Sequence, residues 1–509
     1  MNMASSWSIA LVGVRGTPVE VEAAIGNGVP RTVLVGLPDT ALYEARDRCK
    51  AAISGAGLQW PDRMLTINLT PADLPKAGSH YDLAIAAAVL VIAKVVPASI
   101  AERAVLMGEL GLDGRVRPVR GLLPALLAAR GHGFETAVVP AAQMGEADLV
   151  EGMTVWGVAD LAELVEVLHG RPVMHAVRQE DARTEVVGVV DMADIAGQPE
   201  ARWALEVAAA GSHHLFMHGP PGTGKTMLAQ RLPGLLPDLD DDAALEVSAV
   251  HSLVGRDLAG RLIRRPPFSE PHHTATVAAM VGGGSRVARP GVISMAHHGV
   301  LFMDEAPEFS PRVLEALRTP LELGQVSIVR SQVSADFPAR FQLVLAANPC
   351  PCGNHGVVGA TCTCTPQAVR RYAQRLSGPI LDRIDIHVHL TQAGAVGLRV
   401  ASEVGESSGL IRARVCQARE RQHDRLQNTG FRTNAEVPGT MLRRELPQPK
   451  DVDLIDAALD RGLLSTRGVD KVLRVAWTLA DLAGHDRIQG DDLAAAMGLR
   501  RADWMSGAA

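Results

Sequence analysis

No apolar run in this chain of 509 residues reaches the roughly 20 residues that a membrane-spanning helix needs. The longest, Leu83 to Ala93, reads as a buried helix. No basic stretch precedes the apolar residues at the N-terminus, so no secretory signal is expected. Charge of one sign is lacking as well. A net charge of −6 sets up no global field that draws the chain onto nucleic acid or membrane, and any nucleic-acid site must be a local arginine patch. Cysteines number six. In a long chain without an export signal they point to a reducing cytoplasm, and to metal or free thiols over disulfides. Aromatics make up only 3% of the residues. Lysine is scarce, and Lys225 is the only one between Lys94 and Lys450.

That lysine sits in Gly219-Pro220-Pro221-Gly222-Thr223-Gly224-Lys225-Thr226. The stretch follows a short apolar run, Leu215-Phe216-Met217, and precedes a helical one, Met227-Leu228-Ala229. This is the context of a phosphate-binding loop. The glycines let successive N–H groups point inward at phosphate oxygens. Lys225 adds a point charge for the β- and γ-phosphates of ATP, and Thr226 offers a hydroxyl to Mg²⁺. The helix that starts here lends its positive end to the same anion.

The length implies about three domains. In residues 1–172, short β-type runs (Ser8–Val12, Val19–Ala24, Thr32–Val35, Leu65–Asn68, Ala137–Val139) alternate with helical runs (Thr40–Ser54, Asp82–Ala93, Leu122–Ala129). An α+β domain is expected. Residues 173–188 read as a polar linker, residues 189–392 as an α/β P-loop NTPase core, and residues 393–509 as an all-α segment.

Within the core, Gly299-Val300-Leu301-Phe302-Met303-Asp304-Glu305 reads as a buried parallel strand with two acids at its C-terminal edge, where open α/β sheets bind ligands. Asp304 suits Mg²⁺ held through water, and Glu305 suits orientation or deprotonation of an attacking water. Lys225 and Asp304 are 304 − 225 = 79 positions apart, so an insertion is expected between them. It carries Arg256, Arg261, Arg264, Arg265, Arg286 and Arg289 against Asp257 and Glu270, with Gly282-Gly283-Gly284 between. A mobile loop that touches phosphates fits; so does a solvated basic surface or a subunit contact. His272 and His273 are adjacent, would diverge on a helix, and are not read as a metal pair.

Ser310-Pro311 starts a helix running to about Pro320. Val326–Arg330 and Ser334–Phe337 read as a hairpin with Arg330 near its tip, and Phe341 to Ala347 as a buried strand ending in Asn348. An amide there, beside the P-loop strand, reaches the γ-phosphate or the water. Next come Cys350, Cys352, Cys362 and Cys364. Two C-x-C pairs suit a four-thiolate Zn²⁺ site, though the usual knuckle is C-x-x-C, and unliganded thiols are the alternative. Farther on, Ile411–Gln427 is a helix carrying Arg412, Arg414, Arg419, Arg421 and Arg425, either a solvated face or a DNA-facing one.

Two segments of the first domain, Leu74-Pro75-Lys76-Ala77-Gly78-Ser79-His80-Tyr81-Asp82 and Gly108-Glu109-Leu110 through Gly121-Leu122, resemble the proteolytic domain of the Lon family, an S5-like fold. That family uses a Ser/Lys dyad. Asp82 stands where its serine would fall and Leu123 where its lysine would fall, while Ser79 lacks a base. A structural or substrate-guiding domain is therefore expected in place of a protease.

The motor segment resembles AAA+ ATPases. The resemblance implies that Gln198, ahead of a helix from Pro199 to Ala210, packs near adenine. It implies that Asn348 is sensor 1 and that Arg383, in Ser-Gly-Pro-Ile-Leu-Asp-Arg-Ile-Asp, is an arginine finger for the neighbouring subunit. An intrachain pair of Arg383 with Asp382 or Asp385 is the alternative. Arg467, at the cap Ser465-Thr466-Arg467-Gly468, is implied as sensor 2 of a helical lid, with Arg474 as second choice.

Together with Pro271-His272-His273-Thr274 and Asn348-Pro349-Cys350-Pro351-Cys352-Gly353, these blocks make nearly the whole chain similar to the magnesium-chelatase-like AAA+ ATPases of the YifB/ComM family. The resemblance implies a hexameric ring and ATP-driven branch migration of DNA. Metal insertion by a chelatase-type motor and ATP-dependent proteolysis are the competing expectations.

Overall fold

A computed structural model of the chain describes residues 3–36, 41–74, 76, 78–171, 173, 190–284, 288–329, 334–357, 359–376, 378–391, 405–462 and 464–500. Arg286, Arg330, Ser377 and nearly all of the expected linker lie outside them.

The N-terminal segment is built on a seven-stranded mixed sheet. Its order is Arg31–Val35, Met64–Thr70, Arg15–Gly26, Met3–Val12, Ala104–Leu106, Thr136–Pro140, Thr154–Val158. Met3–Val12 and Arg15–Gly26 form a long antiparallel hairpin, with Val12 opposite Arg15. Both sheet faces are covered, because successive side chains alternate sides. Ala10 joins a core with the helix Asp82–Ile92, and its neighbour Ile9 joins another with the helix Leu122–Gly131. The apolar run from Leu83 is thus a buried helix, hydrophobic all round.

The P-loop core is a five-stranded parallel sheet in the order Phe268–Ser269, Val300–Met303, Gln342–Ala347, Leu215–His218, Ile386–His389. The three middle strands are buried on both faces, which is why they read as continuous apolar runs. Leu215, Met217, Phe302 and Val344 face one core, while Phe216, Leu301, Met303 and Leu345 face the other. The helix expected after Ser310 continues farther, as two short helices, Pro311–Ala316 and Arg318–Leu323. The hairpin is present as Gln325–Val329 paired with Ser334–Pro338.

Described residues between 405 and 500 contain helices and no strand. Their apolar residues do not form a separate core. Ile411, Val415, Val472 and Trp477 pack in one cluster with Leu205, Leu228 and Leu232 of the P-loop core.

The first and second segments are bolted together. The helix Asp241–Leu253 lies against Leu122–Gly131. Ser252 Oγ donates to the buried carboxylate of Glu146 at 2.5 Å, and the Gly121 N–H donates to the Ser252 carbonyl at 3.0 Å. Burial raises the Glu146 carboxyl above its ordinary range. The hairpin turn at Gly13 (φ +66°) fits so closely that a Cβ there would collide with the Asp336 backbone.

The inserted segment is only partly a free loop. Leu258 is buried in the N-terminal core, with Ile263 packed against it, and Gly260 abuts Gly145. Arg264 pairs with Asp241 at 2.7 Å. Arg256, Arg261, Arg265 and Arg289 are exposed.

Candidate nucleotide site and cysteine centre

Parallel register brings the phosphate-binding loop and the strand-end residues to one sheet edge. His218, the last residue before the loop, pairs with Ala347, the last before Asn348. Met303, the last before Asp304, pairs with Leu345. Lys225 starts the helix Lys225–Leu235 and is buried. Its Nζ donates to the carbonyls of Gly219 (2.7 Å) and Pro220 (2.9 Å) and to Asn348 Oδ1 (3.1 Å). Burial draws this ammonium below its ordinary pKa, against the opposing pull of Asp304 and Glu305.

The Thr223 hydroxyl donates to the Pro220 carbonyl at 2.9 Å and stiffens the loop from within. Gly222 and Gly224 adopt positive φ, and nothing lies within 4 Å of where a Cβ would stand at either. Side chains there would occupy the cradle itself, so the loop fits a polyphosphate. Thr226 Oγ1 lies 2.6 Å from Asp304 Oδ2, which sets two oxygen donors of the kind Mg²⁺ takes side by side.

Glu305 is in the left-handed region (φ +50°), uncommon for a residue with a Cβ. Its carboxylate is half-exposed beside the phosphate edge, 3.7 Å from His273 Nδ1. The two histidines lie off any helix with ring centroids 4.2 Å apart, so they do not diverge. The contact with Glu305 was missed from sequence. Its only signal was the Pro-His-His-Thr block. Gln198, also left-handed (φ 54°), donates to the Thr223 carbonyl at 3.4 Å and the Thr391 carbonyl at 2.6 Å. It ties the loop to the end of the neighbouring strand.

Arg383 pairs with Glu322, and its Nη1 donates to the Pro379 carbonyl at 2.5 Å. Neither Asp382 nor Asp385 is its partner as the intrachain alternative had it, because Asp385 is taken by Lys471 at 2.9 Å. Burial lowers the Arg383 pKa, and the charges of Arg318 and Arg467 add to the shift. Arg474 donates to the Val437 carbonyl at 2.8 Å.

The arginines of the helix Ser408–Leu426 are tied to the fold, although Arg421 is exposed and Arg412 and Arg414 are partly so. Arg412 pairs with Asp238, and Arg414 with Glu206 and Glu406. Arg419 donates to the Ala209 carbonyl and Ser212, and Arg421 to the Asp481 carbonyl. Arg425 pairs with buried Asp481 at 2.5 Å and lies 4.3 Å above the Trp477 ring. This helix packs against three others, Pro199–Gly211, Lys225–Leu235 and Thr466–Ala483, so its cations satisfy carbonyls and carboxylates of the fold.

In the first segment, Asp82 is fully buried and accepts a bidentate pair from Arg48 at 2.8 and 2.9 Å. Burial raises its carboxyl to about 6 despite that partner. Ser79 bonds to Glu109, Lys76 Nζ is caged by the carbonyls of Gly36, Pro71 and Leu74, and Leu123 is buried. Among the described residues no lysine stands ready to activate Ser79.

The four cysteines do converge. The Sγ atoms of Cys350, Cys352, Cys362 and Cys364 all lie within 4.8 Å of one another. Backbone N–H groups of Asn354 and Thr363 bond to Cys352 and draw its thiol down to about 5.

Three family profiles match. "Magnesium chelatase, subunit ChlI" covers residues 191–396, "Subunit ChlI of Mg-chelatase" 21–143, and "Magnesium chelatase, subunit ChlI C-terminal" 405–500. Competence protein ComM of Haemophilus influenzae is 39% identical over 505 residues, 98% of each chain. The chain belongs to the magnesium-chelatase-like YifB/ComM family. YifB of Escherichia coli, described as uncharacterised, is 40% identical over 504 residues, 99% of this chain and 98% of its own. An uncharacterised protein of Mycobacterium tuberculosis is 52% identical over 504 residues, 98% of this chain and 99% of its own. Family membership makes the P-loop core an AAA+ ATPase core that uses ATP and Mg²⁺. No helix among the described residues is long and apolar enough to cross a membrane.

Proposed function

We propose that the chain is an ATP-hydrolysing ring motor that remodels branched or single-stranded DNA in the cytoplasm as a homo-oligomer. The observation that carries the ATPase part is the convergence of Lys225, Thr226, Asp304, Glu305 and Asn348 on one sheet edge. Lys225 and the loop N–H groups hold the β- and γ-phosphates. Asn348 orients the γ-phosphate or the water, and Glu305 takes the water's proton. Thr226 and Asp304 would hold Mg²⁺, which neutralises charge on the phosphate oxygens when bound.

Arg383 reaches the triphosphate of the neighbouring subunit once Glu322 releases it, and Arg467 serves as sensor 2 on a helical lid. Gln198 lies at the adenine side. A hexamer is the assembly proposed for this trans arrangement. The DNA cargo is supported by the full-length relation to a competence protein and by the exposed Arg256, Arg261, Arg265 and Arg289. The first segment, residues 1–172, serves as a non-proteolytic S5-like scaffold. Zinc at the four thiols belongs to the same reading.

ATPase and strand-exchange assays with linear, forked and four-way DNA, run beside a mass measurement of the assembly, test it. DNA-stimulated turnover is expected. The names of the matching profiles favour one rival, a chelatase-type metal-insertion motor. Turnover indifferent to every DNA would favour that rival, and casein degradation would restore the protease expectation.

A further inference from the structure

The cysteine loop touches the phosphate-binding loop. Gly353 (φ +79°) lies under Pro221 so closely that a Cβ there would stand 2.6 Å from Pro221 Cδ and Cγ. Cys350 is buried two residues beyond Asn348, whose side chain accepts from Lys225. Directly after Cys364, Thr365 caps the helix Pro366–Arg375. That helix carries buried Tyr372 and also Arg375, which donates to Glu308 (2.8 Å) and the Pro307 carbonyl (3.2 Å) just past Glu305. One short segment therefore leans on all three phosphate-facing elements.

The thiols are placed for a closed metal centre. Sγ–Sγ separations are 3.4 Å (Cys350–Cys352), 3.6 Å (Cys352–Cys362) and 3.8 Å (Cys350–Cys362). Tetrahedral Zn²⁺ with Zn–S bonds of about 2.3 Å sets sulfurs about 3.8 Å apart. The His355 N–H donates to Cys350 Sγ at 3.3 Å, the kind of backbone bond that steadies a thiolate ligand. Two C-x-C pairs also leave little backbone freedom once the sulfurs are joined.

We propose that these four thiolates bind one Zn²⁺ and that the closed centre holds Asn348 in register with Lys225, so that ATP turnover depends on zinc far more than ATP capture does. This rests on the ATPase reading. The asymmetry follows from what secures each part. The P-loop is braced by its own bonds, Thr223 to Pro220 and Lys225 to Gly219 and Pro220. Asn348 lies outside those bonds, and the segment that follows it has few of its own across the loop, chiefly Asn354 Nδ2 to the Thr361 carbonyl at 3.5 Å beside local turns such as the Gly353 N–H to the Cys350 carbonyl at 2.9 Å, so the converging sulfurs are its main cross-link. Metal binding energy there becomes ordering energy for the segment.

The test uses the full chain. Metal content is measured by mass spectrometry, and zinc release is followed on titration with an organomercurial. Cobalt reconstitution is read as thiolate-to-cobalt charge-transfer bands. One zinc per chain is expected, and Cys352→Ser with Cys364→Ser should lose it. That double variant should bind a fluorescent ATP analogue within about threefold of the parent, yet hydrolyse ATP at least about tenfold more slowly, the usual cost of unsettling a metal site. Because the variant's fold is at stake, the parent is also stripped with a chelator and Mg²⁺ returned; added Zn²⁺ should then restore turnover. No stoichiometric metal in the parent overturns the site. Unchanged hydrolysis in the stripped parent overturns the coupling. A zinc-loaded parent that hydrolyses no ATP overturns the motor reading, while its zinc content still upholds the site.

Discussion

Replacing Lys471 by Met should destabilise the joint between the P-loop core and the C-terminal helices in a pH-dependent way. Asp385 is 4% exposed and Lys471 8%. Burial alone would raise the Asp385 carboxyl, but Lys471, His213 and His214 hold it well below the usual range. Its contribution to stability is therefore fully present above the unfolded value near 4 and is lost only as pH falls through the lower folded value. Methionine keeps most of the lysine stem and removes the charge. Asp385 then keeps His213 Nδ1 at 3.5 Å and the His214 N–H at 3.3 Å.

The carboxyl escapes an unpaired buried charge by taking up a proton on folding. That costs about 1.4 kcal/mol per pH unit above the unfolded pKa, so about 4 kcal/mol at pH 7 and about 1.5 kcal/mol at pH 5. The first figure agrees with the roughly 3–5 kcal/mol found when one partner of a buried pair is removed. Peptide-resolved hydrogen exchange across a urea series, read on the helix Thr466–Ala483, measures it. A deficit equal at pH 5 and pH 7 would mean lost packing and refute the charge argument. Asp385→Asn combined with Lys471→Met should recover most of the loss.

Lys225→Ala should weaken ATP-analogue binding by about tenfold or more, since it deletes a charge-assisted hydrogen bond to phosphate, and should stop hydrolysis in a phosphate-release assay. Glu305→Gln should bind normally in the same equilibrium measurement and turn over about 10²–10⁴ times more slowly. Arg383→Ala should spare binding and cut turnover by about 10³ or more; unchanged turnover removes the trans-site role. Arg425→Ala leaves buried Asp481 short of its main partner and should cost about 3 kcal/mol in urea denaturation. Its DNA affinity, read at equal folded fraction, should not change, and a reduced salt dependence of DNA binding would return this helix to the DNA face.

The parts of the site legible in the sequence are those written in consecutive residues. Gly219 to Thr226, Asp304-Glu305 after four apolar residues, and Asn348 after a buried strand each combine a strand end with a polar group. Parallel register then brings them together with no further instruction. The paired C-x-C spacing likewise foretold the converging thiols. What stayed hidden depends on partners far away in sequence. Glu322 and Arg383 are 61 residues apart, and Lys471 and Asp385 are 86 apart. The five arginines of Ser408–Leu426 looked like a free basic row because composition shows a helix's charges but not the surfaces packed on either side of it. The bolt between Glu146 and Ser252 was invisible for the same reason.

The single cluster formed by Leu205, Leu228, Ile411, Val415 and Trp477 bears on how this protein can be cut. Its catalytic half has no finished outer wall of its own. A fragment ending at Thr391 would bare the greasy sides of Pro199–Gly211 and Lys225–Leu235, the latter being the helix that opens with the phosphate-gripping lysine. Such a fragment should precipitate before it can be assayed, so a minimal soluble enzyme has to carry the chain on to about residue 500.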